Sequence, residues 1–409
     1  MNILRGRLVL PEVVIDDGAL VIEGDRIAFS GAATRLQTIA AFADLPLPPL
    51  ASDTLLLPGL VDIHNHGGGG ASFPDATDAE AVRAAAATHL AAGTTTLIAS
   101  LVTADRATLL RRAELLADLA DAGVITGIHV EGPFLSHEKR GAQSPDHLIA
   151  GDAGFVRELA AAARGRNGQG HLRTMTVAPE VPGVAGAGGA AEALIEAGVI
   201  PSLGHTSGTC EQAEALIAQV APALAERGLT MTATHLFNGM PSMLHRAPGP
   251  VAACLAAAAR GEMVVELVAD GVHLDSALVR SLMAMLPPES VALVTDAMAA
   301  AGMPDGRYQL GPMTVAVGGG VARLTTTDGT EGSIAGGTSR LLDVIRTSVA
   351  GGVPLAVAVR AASWNPARAL GLRDAGALTT DLRADVVVTD STYVPRRVFR
   401  AGIEVGNPS

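Results

Sequence analysis

The sequence predicts an α/β protein: a (β/α)8 TIM barrel with a small β-sandwich beside it, built from both chain ends. Three observations carry this reading. Strand-like and helix-like segments alternate about eight times through the middle of the chain, the pattern of parallel strands wrapped by helices. Polar residues recur where the candidate strands stop, the end at which such barrels carry their sites. Short β-type runs occupy both termini and can pair, because domain ends often lie close together. The expected boundaries are 1–57 plus 374–409 for the small domain and 58–373 for the barrel.

In order, Leu8-Val9-Leu10, Val13-Val14-Ile15, Ala19 to Glu23 and Arg26 to Phe29 are β-type runs, split by DDG and GD turns. Barrel strands are expected to end at His66, Ser100, Glu131, Ala178, Gly204, His235, Ala269 and Asp296. Alanine-rich stretches such as 78–92 and 211–227 read as helices, and the Gly-rich stretches 163–170 and 182–190 as loops. Ala384 to Asp390 and Pro395 to Val405 return to β pattern at the C-terminus.

Composition narrows the function. The 409 residues suffice for one large barrel and a small second domain. Apolar content is 48%, but alanine supplies much of it, and no apolar run reaches the ~18 residues of a membrane span. No signal peptide is expected, since acids come early in MNILRGRLVLPEVVIDDG. With Cys210 and Cys254 alone there is no disulfide framework, and a cytoplasmic home is expected. A net charge of -12 speaks against a nucleic-acid partner.

The stretch Pro58-Gly59-Leu60-Val61-Asp62-Ile63-His64-Asn65-His66-Gly67 organises the site. Side chains alternate along a strand, so His64 and His66 face one way and can chelate a divalent metal. Glu131 closes strand three, His205 follows strand five, His235 closes strand six and Asp296 closes strand eight. Such positions, on five strands of one barrel, converge on one mouth. Histidine and carboxylate ligands suit zinc or ferrous iron, and a bound metal lowers the pKa of its water toward about 7. Asp296 can take a proton from that water and pass it to a leaving group.

The HxH stretch resembles the signature of the amidohydrolase superfamily. The wider set, HVEGPFL, GHT, THLFNGM with HRAPG, VADGVH, VTDAM and SWNPARALGL in that order, resembles the N-acetylglucosamine-6-phosphate deacetylase family within it. The resemblance implies Glu131, His205 and His235 as main metal ligands and Asp296 as catalytic acid/base. It implies His64 and His66 as the pair that helps hold a second ion, so one or two divalent ions per chain are expected. Asn238, Gly239, Arg246 and His273 match the sugar-phosphate contacts, and the backbone around Ala142, Gln143, Ile334, Ala335 and Gly336 matches the rest of the sugar pocket. It further implies an amino-sugar phosphate as substrate and a homodimer whose partner helps close the pocket.

One departure stands out. The family usually has GAH after the EGPF loop, whereas this chain has Gly141-Ala142-Gln143. Glutamine can donate a hydrogen bond but carries no charge, which shifts polarisation of the acetyl carbonyl toward the metal or marks a different N-acetyl hexosamine. His137 and His147 read as surface loop residues, Cys210 as a helix start, and Cys254 as core. The expected reaction is deacetylation of N-acetylglucosamine 6-phosphate. The rivals are N-acetylgalactosamine 6-phosphate deacetylation, a hydantoinase-like or dipeptidase-like activity, and a silent barrel that only binds.

Overall fold

The computed structural model describes residues 1–325 and 331–406. Eight parallel strands form one sheet in sequence order: Leu60–Asn65, Thr94–Leu101, Gly127–Glu131, Leu172–Val177, Ile200–Leu203, Met231–Ala233, Met263–Leu267 and Val291–Leu293. Nearly every residue of these strands is buried, because helices cover the outside and side chains fill the inside. The expected order of strands is therefore the observed one.

The sheet closes just past the eighth strand. The Asp296 N–H donates to the His64 carbonyl (2.9 Å), and the His66 N–H donates to the Ala297 carbonyl (2.7 Å). Asp62, inside the first strand, reinforces the seam by accepting the Thr295 hydroxyl at 2.6 Å. Closure of the barrel thus sets Asp296 against the HxH pair.

Helices start where short acids can cap them. Asp78, Asp105, Asp152 and Asp275 each accept a backbone N–H in the first turn of Ala79–Ala91, Arg106–Asp121, Ala153–Ala162 and Ser276–Met285. Thr209 and Gln212 form a capping box ahead of Cys210–Ala225. Among the described residues no helix is long and apolar enough to cross a membrane.

Both chain ends meet in one seven-stranded sheet, ordered Ile403–Glu404, Pro395–Arg400, Val386–Thr389, Leu55–Pro58, Asn2–Val9, Val14–Glu23 and Arg26–Ala32. Leu4, Leu8, Leu20, Ile22, Ile27, Leu56, Val386 and Phe399 form one core cluster of this sheet, and Ala19, Val21, Phe29 and Leu36 another. The expected DDG turn is corrected here: Val14–Glu23 runs straight through Asp16-Asp17-Gly18. The acids pair across the ladder, Asp17 with Arg5 at 2.8 Å and Asp16 with Arg7 at 3.2 Å. Gly18 serves close approach instead of a turn, since a Cβ there would lie 2.3 Å from Leu8 Cβ.

A four-stranded antiparallel sheet that the sequence reading lacked follows the eighth strand: Gly306–Leu310, Met313–Gly318, Val321–Thr325 and Glu331–Ile334. It has a small core of its own, in which Leu310, Val315, Val317 and Ala322 pack with Val102 and Met298 of the barrel mouth.

Candidate functional site

The predicted ligands do converge. His64 and His66 lie at the end of the first strand with their Nε2 atoms 3.1 Å apart. Asp296 Oδ1 sits 3.4 Å from His64 Nε2 and 3.3 Å from His66 Nε2. Beside them, Glu131 Oε1 lies 2.9 Å from both His205 Nε2 and His235 Nε2, which are 3.1 Å from each other. The two groups share Glu131, whose other oxygen, Oε2, is 3.3 Å from His66 Nε2. His205, His235 and Asp296 all have left-handed backbones, with φ of 47°, 28° and 48°. Such strain, about 1–3 kcal/mol for each residue, persists where the surroundings over-determine it, and it clusters at functional sites.

The outer nitrogens explain why the inner ones face inward. His64 Nδ1 donates to Glu266 Oε2 at 3.0 Å, His66 Nδ1 to the Ser100 carbonyl at 3.2 Å, and His205 Nδ1 to the Lys139 carbonyl at 2.7 Å. Each bond fixes a tautomer and leaves Nε2 as a lone pair. His64 and His66 therefore aim two lone pairs at each other, which requires a proton or a cation between them. His235 Nδ1 is buried without a hydrogen-bond partner. Two sets of three buried ligand atoms, His64/His66/Asp296 and Glu131/His205/His235, are each close enough to hold an ion. Bonds of about 2.0–2.2 Å in a tetrahedral site put donors about 3.3 Å apart, within a few tenths of an ångström of these separations.

A cavity of about 480 Å³ opens over the clusters, a volume fit for a small ligand. His66, Glu131, His205, His235 and Asp296 lie in its wall, with Ala142, Gln143, Asn238, Gly239, His273, Ile334 and Gly336 around them. His64 and Ala335 are buried behind this lining. Gly239 has φ +61°, and a Cβ there would lie 2.7 Å from His205 Nδ1; only glycine leaves the His205–Lys139 bond undisturbed.

The sequence profile of the amidohydrolase family matches residues 55–405. The chain belongs to the amidohydrolase family. It is 32% identical over 358 residues to an N-acetylglucosamine-6-phosphate deacetylase of Lysinibacillus sphaericus, covering 86% of this chain and 85% of that protein. It is 34% identical over 372 residues to an N-acetylgalactosamine-6-phosphate deacetylase of Escherichia coli O157:H7, covering 89% and 91%. The crystal structure of an N-acetyl-D-glucosamine-6-phosphate deacetylase from Mycobacterium smegmatis superimposes with a TM-score of 0.86 at 38% identity, over 99% of this chain and 100% of that one. The resemblance first seen in the motifs is thus met along most of the chain.

Amidohydrolases depend on metal, and the protonation of this one fits that chemistry. Burial alone pulls the His64 imidazolium down, but Asp296, Glu266 and Glu131 outweigh it and hold its pKa at about 10. His66 and His205 are raised in the same way by their carboxylate neighbours, against burial. Burial pushes Asp296 and Glu131 up, yet the surrounding imidazoles win and keep both below the usual carboxylate range. In the metal-free protein, protons therefore occupy the place a cation would take, and metal binding releases them. Asp296 is therefore a carboxylate at neutral pH. His129 is held neutral by burial and by His64, and it bonds Ser100 and Thr176 instead of joining either cluster.

Gln143 lies in the cavity wall with partners that its motif did not indicate, and Arg246 lies away from the cavity. Gln143 donates its amide N–H to Glu131 Oε2 at 2.7 Å and accepts the Thr103 N–H at 2.8 Å. It is 4% exposed, so its amide holds the ligand carboxylate. Arg246 does not reach the cavity of its own chain; it sits on an exposed loop beside exposed Met243 and Leu244. The sequence reading also missed Lys139, Leu310, Arg323 and Ser333 in the cavity wall. Three of these belong to the added sheet, whose alternating pattern around Met313 to Thr325 was its one local signal. It missed Glu266 too, although a charge inside the apolar run Val264-Val265-Glu266-Leu267-Val268 is a visible anomaly. His137 is exposed, and neither it nor His147 lines this cavity.

Proposed function

We propose that this amidohydrolase removes the acetyl group of N-acetylglucosamine 6-phosphate, giving glucosamine 6-phosphate and acetate. One observation carries the reading: a carboxylate, Asp296, belongs to one of two adjoining buried clusters that could each hold a divalent ion, at the wall of a sugar-sized cavity. A divalent ion there, zinc or iron by donor type, supplies Lewis acidity and an acidified water. Asp296 takes a proton from the attacking water as oxygen bonds the acetyl carbon. It returns that proton to nitrogen as the C–N bond breaks. Gln143 and Thr103 keep Glu131 oriented while this happens. His273, held through Nδ1 by Asp270 at 2.8 Å and raised by that carboxylate against burial, keeps Nε2 for a phosphate oxygen. The backbone at Asn238-Gly239 adds donors.

Residues 58–373 are read as the catalytic domain, and 1–57 with 374–409 as the small one. The homodimer belongs to the same proposal. Met243 and Leu244 are 51% and 58% exposed next to Arg246, the character of a loop made for a partner, and in a dimer Arg246 would grip phosphate from across the interface. Cys210 and Cys254 are free thiols, as a cytoplasmic protein would have. The galactosamine reading is favoured by the 34% identity to the E. coli O157:H7 enzyme. Acetate release from N-acetylglucosamine and N-acetylgalactosamine, each with and without 6-phosphate, tests both. Release from neither phosphorylated sugar by metal-loaded protein would refute the proposal.

A further inference from the structure

We propose that Glu266 is a positioning residue that couples the two ligand clusters and tunes the one around His64. The inference rests on the reading that these clusters hold divalent ions. Glu266 lies inside the seventh strand, Met263–Leu267, and is 3% exposed. It is absent from the cavity wall, so it touches no substrate. Its Oε2 accepts His64 Nδ1–H at 3.0 Å and the backbone N–H of His235 at 3.2 Å. Its carbonyl accepts the Leu236 N–H at 2.8 Å. One strand residue therefore holds a member of each cluster.

The two bonds do different work. The bond to His64 keeps the proton on Nδ1, so that Nε2 is the ligand atom, and a carboxylate partner makes that imidazole a better donor. The bond to the His235 amide, with the one to Leu236, pins the chain where His235 adopts φ 28°, a conformation that must be imposed from outside. His66 and His205 use neutral carbonyls for the same purpose. His64 alone among these three has a full negative charge behind it, which makes it the most strongly polarised.

The test compares wild type with Glu266→Gln, which keeps size and an acceptor oxygen but removes the charge. Both proteins are loaded with Zn²⁺ and bound metal per chain is measured by elemental analysis. Affinity is then measured by competition with a chelator. Glu266→Gln should weaken one ion by roughly 10–100-fold, the usual cost of losing such a partner. In a His64→Ala background the same change should cost far less, because its main route is gone. Equal affinity and stoichiometry in wild type and Glu266→Gln would overturn the role of Glu266 while leaving the metal reading intact. A wild type that binds no divalent ion would overturn the metal reading itself. The wild type also gives a check that needs no variant. Nitrogen NMR of the zinc-loaded protein should show His64 protonated at Nδ1, and protonation at Nε2 would sink the proposal.

Discussion

Replacing Asp296 with asparagine separates proton transfer from everything else the residue does. The backbone contact that closes the barrel, Asp296 N–H to the His64 carbonyl at 2.9 Å, does not involve the side chain and survives. Asparagine fills the same space at a position only 8% exposed, so the cavity keeps its shape. What disappears is an anion 3.3 and 3.4 Å from two imidazole nitrogens, and with it the group that accepts and returns the proton. Loss of a general acid/base lowers turnover by about 10²–10⁴-fold, or about 3–5 kcal/mol of barrier. Removing the anion also weakens the ion beside His64 and His66, so the variant is assayed at saturating metal with its metal content measured. Acetate release then gives kcat and KM separately. The expected result is a low kcat, a KM close to wild type, and loss of the acid limb of the pH profile. A fully loaded Asp296→Asn enzyme that turns over like wild type would show that another group moves the proton.

Stability of the metal-free protein should depend on pH in a way set by the same clusters. Histidines raised in the fold contribute stability that is complete below their unfolded pKa of about 6.5. For His64 that contribution is lost as pH rises toward about 10. Depressed carboxylates such as Glu131 and Asp296 contribute above their unfolded values of about 4 and lose it in acid. Melting of the chelated protein should therefore fall steadily from pH 6.5 to 10, with a much smaller decline once metal is bound and the imidazoles are already neutral. An alkaline decline equal in both forms would contradict this. Arg246→Ala should lower kcat/KM for the phosphorylated sugar by roughly 30-fold or more, as for one partner of a buried charge pair, and leave the unphosphorylated sugar unaffected. Light scattering that finds only monomers would remove the partner route for Arg246. Gly239→Ala should cost about 1–2 kcal/mol of stability from the left-handed backbone. It should also loosen metal retention by pressing on His205, which chelator competition can read.

The residues proposed to do the chemistry were legible in the sequence because each sits at a local signal. His64, His66, Glu131, His205, His235 and Asp296 all stand at or just past the end of an apolar, strand-like run, and a parallel barrel sends those ends to one mouth. Capping acids such as Asp78 and Asp105 stand at helix starts, a relation of the same local kind. Local pattern did not reveal what those residues lean on. Glu266 meets His64 across 202 positions of sequence, and the ion pairs that carry Asp16 and Asp17 through a strand need Arg5 and Arg7 on the neighbouring one. Gln143 lies in the cavity wall, as its motif suggested, but the partners that hold its amide, Glu131 and Thr103, were not readable locally. The added sheet reaches the cavity only because its apolar face finds Val102 and Met298. Sequence determined which strand-end groups meet at the mouth, since strand period and strand ends are local properties. Tertiary structure alone decided their tautomers, charges and orientations, because each is fixed by a partner brought near only when the barrel closes.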